Sequence, residues 1–456
     1  MSNDPRELLA HSPMGRMQIA AVVICIALIA LDGFDVLAIS FASPGIAAEW
    51  NIDRAALGIV LSMELLGMSV GSVVIGSLAD RIGRRPTILG CLLVMTLGMF
   101  LATTPSGVEV LAAYRFLTGV GIGGMLACVS PMVAEYSNAR RRSLVVTLVA
   151  AGYPIGVIVG GSVASELLVH HDWRSVFAVG GTATAICLPL VWFLLPESIE
   201  YLAQRHPPGA LERINATLRR MGHGTVIALP AAAKSRASAA RLFSPELCST
   251  TLLLTLAFFA HIITFYFTLK WIPKIVVDMG FHAASAGGVL VWANVGGAAG
   301  AVILGLLTHF CGLRSLVIAA LLLSTALVTL FGQCKADLDQ LALVAALAGF
   351  CTNAAIVGLY ATIVQYFPAE VRAGGTGFVI GVGRGGAALG PIIAGLLFSA
   401  DQSLSSVSAI MGLGSLVAMA AIAFLPLASE RGSGDHPTVA LGPLSAQSTL
   451  PVRQDG

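Results

Sequence analysis

Residues 76–85 read GSLADRIGRR, and residues 305–314 read GLLTHFCGLR. In both segments a glycine is followed by an acid or a histidine, then a second glycine and an arginine, at intervals of 4, 3 and 2 residues. Further along the chain an offset of 230 residues, one more than the 229 between these segments, aligns Glu135 with Gln365, Arg142 with Arg372, Gly156 with Gly386, and Gly160 with Gly390. A repeat of this length predicts a chain built from two related halves, as in many membrane carriers.

The apolar stretches around these segments predict how each half is built. Hydrophobic residues make up 56% of the 456 residues and charged residues only 11%, against about 25% charged residues in soluble domains. This balance excludes an ordinary soluble enzyme, and the net charge of +2 gives no reason to expect nucleic-acid binding. A bilayer core needs roughly 20 apolar residues per helix. The sequence therefore predicts twelve spans at 17–42, 55–79, 85–104, 108–136, 142–168, 174–195, 247–277, 284–308, 313–332, 340–367, 372–399 and 404–427.

These spans predict an all-α membrane protein with twelve transmembrane helices in two pseudo-symmetric six-helix bundles. With both termini inside, nineteen Lys and Arg lie on the cytoplasmic side and four outside, so the positive-inside rule predicts this orientation. The eight scattered cysteines form no CxxC pair and are expected to be buried apolar side chains. The expected parts are a cytoplasmic N-terminus 1–16, a first bundle 17–195, a cytoplasmic linker 196–246, a second bundle 247–427 and a disordered cytoplasmic tail 428–456.

Several motifs resemble those of a known family. GSLADRIGRR and the RFLTGVGIGG that opens at Arg115 are similar to signature motifs of the major facilitator superfamily, and the resemblance covers about residues 17–427. More narrowly, LDGFDVLAIS (31–40), GYPIGVIVGG (152–161) and GVGRGGAALGP (381–391) resemble the aromatic acid:proton symporter family. The resemblance implies the major facilitator fold, a place in the bacterial inner membrane, and import of benzoate-type acids for aromatic compound catabolism. Tyr153-Pro154 stands where drug antiporters of the superfamily carry Gly-Pro, which favours import, although Gly390-Pro391 tempers this interpretation.

Four ionisable residues within the first bundle are candidates for proton coupling. An ionisable side chain at the centre of a span costs roughly 2.5–3.5 kcal/mol on insertion scales, so a function is the first hypothesis for each. Asp32 and Asp35 share one helix face, and at about 1.5 Å per residue they lie roughly 15 and 10 Å deep, close to the depths of Arg115 and Glu64. Crowded carboxylates cannot all stay ionised, which predicts a proton site. The alternative is that Arg115 only pairs with one aspartate to hold two helices together; the family resemblance supports Asp32, Asp35 and Arg115, whereas Glu64 rests on depth alone.

Polar and aromatic residues of the second bundle are candidates for substrate binding. Arg384 lies among glycines in the eleventh span, and its guanidinium suits a substrate carboxylate, although helix-end carbonyls or an acid from another span could also bind it. Lys270 near the outer end of the seventh span could contact substrate or extend outward to the interface. The remaining candidates are Tyr266, Trp271, Asn294 and Asn353, for which packing or interhelical hydrogen bonding is the alternative, as it is for His261.

A third group of residues predicts an ion-pair latch that forms in one state of a carrier and breaks in the other. The alternative is that the arginines only set the orientation of the chain. In the second half His309 replaces Asp80, so this copy is expected to be weaker or pH-dependent. The gating residues are Gly76, Asp80, Arg81, Gly83, Arg84, Arg85, Glu135 and Arg142 in the first half, and His309, Arg314 and Arg372 in the second.

The sequence thus predicts a carrier and not an enzyme. We expect a symporter that imports an aromatic carboxylate with protons, acts as a monomer in the lipid bilayer, binds no nucleic acid and uses no cofactor, because no Walker motif is present and the proton gradient can supply the energy. The alternatives are a carrier for another organic anion, such as muconate, a nicotinate-like acid or a dicarboxylate, a sugar carrier, or an exporter. A membrane receptor or membrane enzyme is disfavoured, since the linker and tail supply neither a signalling domain nor a catalytic cluster.

Overall fold

A computed structural model describes residues 4–229, 239–368 and 370–425, except for the side chains of 142–144, 146, 147, 150, 239, 240 and 373. Twelve of the described helices are long and apolar enough to cross a membrane. They are α2 (Arg16–Trp50), α3 (Arg54–Ile82), α4 (Arg84–Leu101), α5 (Val108–Tyr136), α6 (Arg142–His170), α7 (Arg174–Leu194), α10 (Cys248–Asp278), α11 (Ala283–Leu307), α12 (Leu313–Phe331), α13 (Leu338–Tyr366), α14 (Arg372–Ser399) and α15 (Leu404–Ala423). The predicted tail 428–456 and the Arg142 side chain lie outside the described residues.

The helices follow the predicted spans closely, with one informative difference in α2. The sequence predicts an end near residue 42, but the helix continues through Pro44 to Trp50. A proline inside a helix leaves the carbonyl four residues earlier without its amide donor. Here the Ser43 hydroxyl donates to that carbonyl, on Ser40, at 2.8 Å. The adjacent serine therefore satisfies the group that Pro44 leaves unpaired, and the helix is not broken.

The two halves share their helix crossings as well as their motifs. Gly156 on α6 lies directly against the Ala30 carbonyl of α2, and Gly386 on α14 lies against the Phe259 carbonyl of α10. A side chain at either glycine would collide with backbone, so the close approach requires a residue without a Cβ. The aligned glycines thus occupy equivalent crossings, and the fold is two pseudo-symmetric bundles of six helices.

The two bundles touch each other over only part of the membrane thickness. We call the side on which residues 16, 248 and 423 lie the terminal face, and the opposite side the distal face. Near the distal face α3 packs on α14 through Gly58 and Pro391, and α6 packs on α11. Toward the terminal face, Gly374, Gly377 and Gly381 of α14 have open space where a side chain would begin. The close contacts between the bundles named here lie near the distal face, and we refer to the structure as closed there and open at the terminal face.

The predicted linker contains helices, and its first part is attached to the first bundle. Helices α1 (Pro5–His11), α8 (Ile199–Arg205) and α9 (Ala210–Arg220), with a 3-10 helix (Ala239–Phe243), lie at the terminal face. His223, just after α9, hydrogen bonds Gln18 of α2 at 2.8 Å, and burial lowers the pKa of its imidazole. Arg6 of α1 pairs with Glu200 of α8 at 3.2 Å. These contacts join the chain's beginning and the first part of the linker into one collar on the first bundle.

Candidate functional site

Five ionisable side chains meet partway along the spanning helices, and we call them the charge cluster. They come from α2, α3, α5 and α10, so four helices of both bundles contribute. All five are fully buried, at 0% exposure. They are Asp32, Asp35, Glu64, Arg115 and Lys270.

Glu64 is the centre of the charge cluster. Its carboxylate forms an ion pair with Arg115 of the same bundle and a second one, at 3.5 Å, with Lys270 of the other bundle. The Lys270 ammonium also donates to the Val36 carbonyl of α2. Lys270 therefore does not extend outward to the interface, which was one sequence-based alternative. Lys270 thus joins the two bundles through these two contacts, and the Arg54–Asp278 ion pair joins them at a second place.

Arg115 is held in place by groups other than an aspartate side chain. Besides Glu64, its guanidinium donates to the Asp35 backbone carbonyl at 2.8 Å and contacts the Met99 sulfur at 3.0 Å. Its charge lies over the Phe177 ring, 5.2 Å from the centroid. The sequence-based alternative, in which Arg115 only forms an ion pair with Asp32 or Asp35, is therefore wrong in this structure. The carboxylate that pairs with Arg115 is that of Glu64.

The two aspartates are buried without ion-pair partners among the described residues. Neither carboxyl oxygen of Asp32 has a hydrogen-bond partner there, and the same is true of Asp35 Oδ1. Asp35 Oδ2 lies 3.3 Å from the Thr184 hydroxyl of α7. A buried ionised carboxylate without partners is strongly unfavourable. Two adjacent carboxyls in this position are suited to bind a proton.

Arg384 approaches the charge cluster from the second bundle. Its side chain is partly exposed, and it has no hydrogen bond or ion pair within the described part of the chain. It lies within electrostatic range of Asp32 and of two tyrosines, Tyr266 and Tyr360. Its glycine neighbour Gly383 packs on Phe258, which brings α14 close to α10. The guanidinium is thus available to an anion that enters between the bundles.

A small cavity lies between the bundles, and one of its lining residues, Tyr153, is within electrostatic range of Asp32 and Glu64. It has room for about 20 Å³ and is bounded by Tyr153 and Pro154 of α6 and by residues of α10, α11 and α13. That volume is enough for about one water molecule, whereas ligand pockets typically measure about 300–1,000 Å³. An aromatic acid would therefore require the walls to move apart. The other lining residues are Phe265, Leu269, Ala293, Asn294, Gly297, Gly349, Thr352 and Asn353.

The predicted amides Asn294 and Asn353 line this cavity and also bond to helix backbone. Asn294 donates to the Leu290 carbonyl at 2.9 Å, and Asn353 donates to the Gly297 carbonyl at 2.7 Å. Their amide oxygens have no such role and can accept from a ligand hydroxyl. Tyr266 lies beside the cavity, where its hydroxyl approaches that of Tyr153. Trp271 does not line the cavity; it lies nearer the distal face and donates to the Pro391 carbonyl at 3.2 Å.

His261 is fully buried behind the cavity and belongs to a chain of hydrogen bonds. Its Nε2 lies 2.9 Å from the Thr352 carbonyl, so Nε2 carries the hydrogen, and Nδ1 of the neutral ring accepts from Ser415 at 2.9 Å. Ser324 lies 3.0 Å from Ser415 and completes the chain. The interhelical interpretation of His261 fits this geometry: it joins α10, α12, α13 and α15 behind the cavity wall.

The first-half gating residues gather around an acid that the sequence did not single out. Glu197, just after α7, accepts from the Arg84 and Arg85 amides at 2.9 and 3.1 Å. It thus caps α4, whose preceding Gly83 has the positive φ of 107° that favours glycine. Arg84 forms an ion pair with Glu135, and the Ser198 hydroxyl donates to Glu135 at 2.5 Å.

The remaining first-half residues lie close to this group at the terminal face. The Tyr201 hydroxyl donates to the Arg81 carbonyl at 3.0 Å, and Arg205 donates to the Asp80 carbonyl at 2.9 Å. A Cβ atom added at Gly76 would lie 3.2 Å from the Ala127 Cβ, so α3 and α5 approach closely there. These contacts lie within the first bundle and between it and the first part of the linker, so the gating motif is assembled on one side of the open terminal face.

The second-half copy of the motif is looser. The His309 side chain is exposed, while Arg314 donates to the Ala423 carbonyl at 2.7 Å and Arg372 to the Phe367 carbonyl at 3.2 Å. None of these contacts involves an acid. The two copies therefore have different partners in this structure, and the weaker or pH-dependent action expected of the second copy stays a prediction.

Comparison with known proteins agrees with this architecture. The chain is 31% identical to a gallate transporter from Pseudomonas putida, over 92% of this chain and 94% of that protein. It is 29% identical to a 4-hydroxybenzoate transporter from Pseudomonas aeruginosa, over 94% and 97%. The fold is similar to a crystal structure of a D-xylose-proton symporter, with a TM-score of 0.71 at 16% identity over 90% and 98% of the two chains. The sequence model of the Major Facilitator Superfamily matches residues 24–308 and 254–453, and the chain belongs to that superfamily of membrane transporters.

Proposed function

We propose that this transporter is a proton-coupled symporter that imports an aromatic carboxylate across the bacterial inner membrane, with both termini in the cytoplasm. The gallate and hydroxybenzoate transporters among its relatives support the substrate class. The observation that carries the proposal is the pair of buried aspartates without ion-pair partners in the described residues, close to an available arginine. On this proposal the open terminal face is the cytoplasmic one, so the structure is an inward-open state.

The balance of charges supports coupling between the proton and the anion. The charge cluster contains three acids and two bases, and Arg384 makes the count three against three. One proton bound to an aspartate would leave a net charge of +1, and one substrate carboxylate would restore neutrality. A net charge in a low-dielectric interior is costly, so the proton and the anion each favour the binding of the other.

The hydrogen bonds around Asp35 make it the better of the two proton acceptors. The Thr184 hydroxyl has one hydrogen, and its oxygen lies 2.8 Å from the Gly180 carbonyl but 3.3 Å from Asp35 Oδ2. When that hydrogen goes to the closer carbonyl, the hydroxyl oxygen can still accept. A protonated Asp35 satisfies it by donating, whereas an ionised Asp35 cannot. Asp32, within range of both Asp35 and Arg384, then links the proton site to the substrate arginine.

The substrate would lie between Arg384 and the cavity walls. The guanidinium can bind a carboxylate through two parallel hydrogen bonds, and Tyr153, Phe265 and Tyr266 offer aromatic surfaces for a ring. The amide oxygens of Asn294 and Asn353 suit ring hydroxyls of the kind that gallate carries. The present cavity is small, so we assign it to the state that follows substrate release.

The energetics also favour symport over entry of the anion alone. An anion entering a cell that is negative inside works against about 2.3 kcal/mol per charge per 100 mV. One co-transported proton removes this electrical cost and leaves the pH gradient to drive uptake. One chain contains the whole pathway, and we propose that it works as a monomer without a cofactor.

Uptake by proteoliposomes tests the proposal. Vesicles containing the purified chain and an alkaline interior should accumulate labelled 4-hydroxybenzoate, and a protonophore should abolish the accumulation. Unlabelled benzoate, gallate, phenylpropionate, muconate and nicotinate should then be tested as competitors, with protein-free liposomes as the control. Accumulation that continues in the presence of the protonophore would contradict proton coupling. If only muconate or nicotinate competed, the substrate would be a different class of organic anion. Efflux without uptake would indicate an exporter.

A further inference from the structure

A second pocket opens at the distal face, apart from the central cavity and the charge cluster. It has a volume of about 250 Å³ and lies where α3 meets α10, α14 and the start of α15. Its mouth is polar and exposed, with Arg54, Asp278, Gln402 and Ser403. Its floor is apolar and includes the buried rings of Trp271 and Phe398. A polar mouth above an aromatic floor fits a small molecule with one charged end and one ring.

The charges at the mouth leave room for an anion. Asp278 pairs with Arg54 at 3.1 Å and also with Lys274, so one acid is shared by two bases. The group therefore carries one positive charge in excess. Arg54 is joined to Asp278 through one nitrogen only, and its side chain is 44% exposed. Most of the five donors of its guanidinium remain available to a carboxylate.

The floor is formed by two packed aromatic rings close to that charge, of which Phe398 (6% exposed) reaches the pocket more than Trp271 (1% exposed) does. The rings of Trp271 and Phe398 have centroids 5.0 Å apart and are tilted by 48°. The Arg54 guanidinium lies 5.4 Å from the Phe398 centroid. The Trp271 indole nitrogen already donates to the Pro391 carbonyl, so the ring is fixed in place. Aromatic rings, including that of a bound ligand, prefer offset or edge contacts with centroids about 4.5–7 Å apart.

Arg54 also joins the bundles at the distal face. It extends from α3 of the first bundle, whereas Asp278 ends α10 of the second. Just below, the Arg54 carbonyl and Gly58 lie against Gly395 of α14. A ligand that takes Arg54 from Asp278 would thus remove the one described ion pair that joins the bundles at this face.

We propose that the distal pocket is a second binding site for an aromatic monocarboxylate, in which the carboxylate displaces Asp278 from Arg54 and the ring packs against Phe398 and the apolar lining beside it. Occupancy replaces the direct Arg54–Asp278 ion pair between the bundles with a contact that runs from Arg54 through the ligand to Phe398 of the second bundle. The substrate class rests on the proposed function, but the site is distinct from the central one. A ligand without the carboxylate gains nothing from Arg54 and leaves the Arg54–Asp278 ion pair intact.

Equilibrium binding of labelled 4-hydroxybenzoate to the purified full-length chain tests the site. Wild type should bind two molecules, Arg54→Ala should bind one, and Arg384→Ala should retain only the distal one. Arg174→Ala is the matched control, because Arg174 lies at the same face over Trp173 and pairs with Glu49 within a single bundle. It should still bind two.

A variant that should bind the ligand more tightly shows that a loss of binding in Arg54→Ala is not caused by misfolding. Asp278→Asn removes the competitor for Arg54 and should tighten the distal site by about tenfold. If wild type binds one molecule, or if Arg54→Ala keeps both sites, the distal site is refuted while the proposed function stands. If wild type binds none, the substrate class itself is wrong. If Asp278→Asn binds the distal ligand with the same affinity as wild type, the proposal that the ligand displaces Asp278 is refuted.

Discussion

Replacement of Glu64 should expose how strongly the charge cluster depends on one carboxylate. Glu64→Gln leaves the buried charges of Arg115 and Lys270 without the acid between them, and Lys270 lies 3.5 Å from that acid. Removing one partner of a buried ion pair costs about 3–5 kcal/mol. Lys270→Met is milder, because Glu64 keeps Arg115. It forfeits mainly the hydrogen bonds of the ammonium, worth about 1.5–3 kcal/mol.

The double variant separates the charge effect from simple loss of packing. In Glu64→Gln combined with Lys270→Met, the second substitution removes one of the two unpaired cations that the first creates. The destabilisation should therefore be smaller than the sum of the single effects, by about 0.5–3 kcal/mol. Thermal unfolding of the purified chain in detergent measures all three variants at fixed pH and salt. Glu166→Gln serves as the control, since Glu166 is exposed on α6 and should unfold like wild type.

Two results would refute this reasoning. The first is a Glu64→Gln variant that is no less stable than Lys270→Met, since Glu64 would then not hold two cations. The second is strict additivity in the double variant, which would mean that Glu64 and Lys270 do not interact across the bundles.

Further predictions concern the proton, the substrate, the gate and the packing. Asp35→Asn should abolish accumulation driven by a pH gradient but retain exchange of labelled for unlabelled substrate; accumulation at the wild-type level would exclude Asp35 as the proton site. Arg384→Ala should weaken substrate binding by about 10- to 100-fold, from a charged hydrogen bond worth about 1.5–3 kcal/mol, and unchanged affinity would place the carboxylate elsewhere. Glu197→Gln should slow transport without changing affinity, because it loosens the cap of α4, so a pure affinity loss would count against a gating role. Gly156→Val should destabilise the fold by about 1–3 kcal/mol through overpacking. Gly288→Val is the control, because a side chain at Gly288 would enter open space. Equal melting temperatures for the two variants would contradict the crossing described for Gly156.

Most of the fold could be predicted because its signals are local. Twenty apolar residues in a row indicate a span whatever lies beside them, and the 230-residue offset relates the halves without any tertiary information. The exception is the end of α2, where Pro44 would ordinarily stop a helix. Its continuation depends on a hydrogen bond from Ser43, and a side-chain rotamer of that kind is not evident in the sequence.

The charge cluster was only partly predictable, for a physical reason. Depth along a helix brings Asp32, Asp35, Glu64 and Arg115 to one level, and the structure places them together. Depth does not say which partner an arginine chooses, and the choice of Glu64 over an aspartate follows from how α3 packs on α5. Lys270 was harder still, since its partners belong to the other bundle.

The gating acid shows a different limit of the sequence. Glu197 follows the sixth span in a short polar segment, where an acid is unremarkable. Its partners are backbone amides more than a hundred residues earlier. A free amide at the start of a helix is present at every helix, so the sequence offers no sign of which side chain will reach it.

The collar at the terminal face has a practical consequence for following the transport cycle. Because α9 is tied through His223 to α2, a spectroscopic label on α9 should travel with the first bundle as a rigid marker outside the lipid. A second label on the terminal end of α13 would travel with the other bundle. The distance between the two labels would then report in real time how the two bundles move relative to each other, and neither label would lie in the transport pathway.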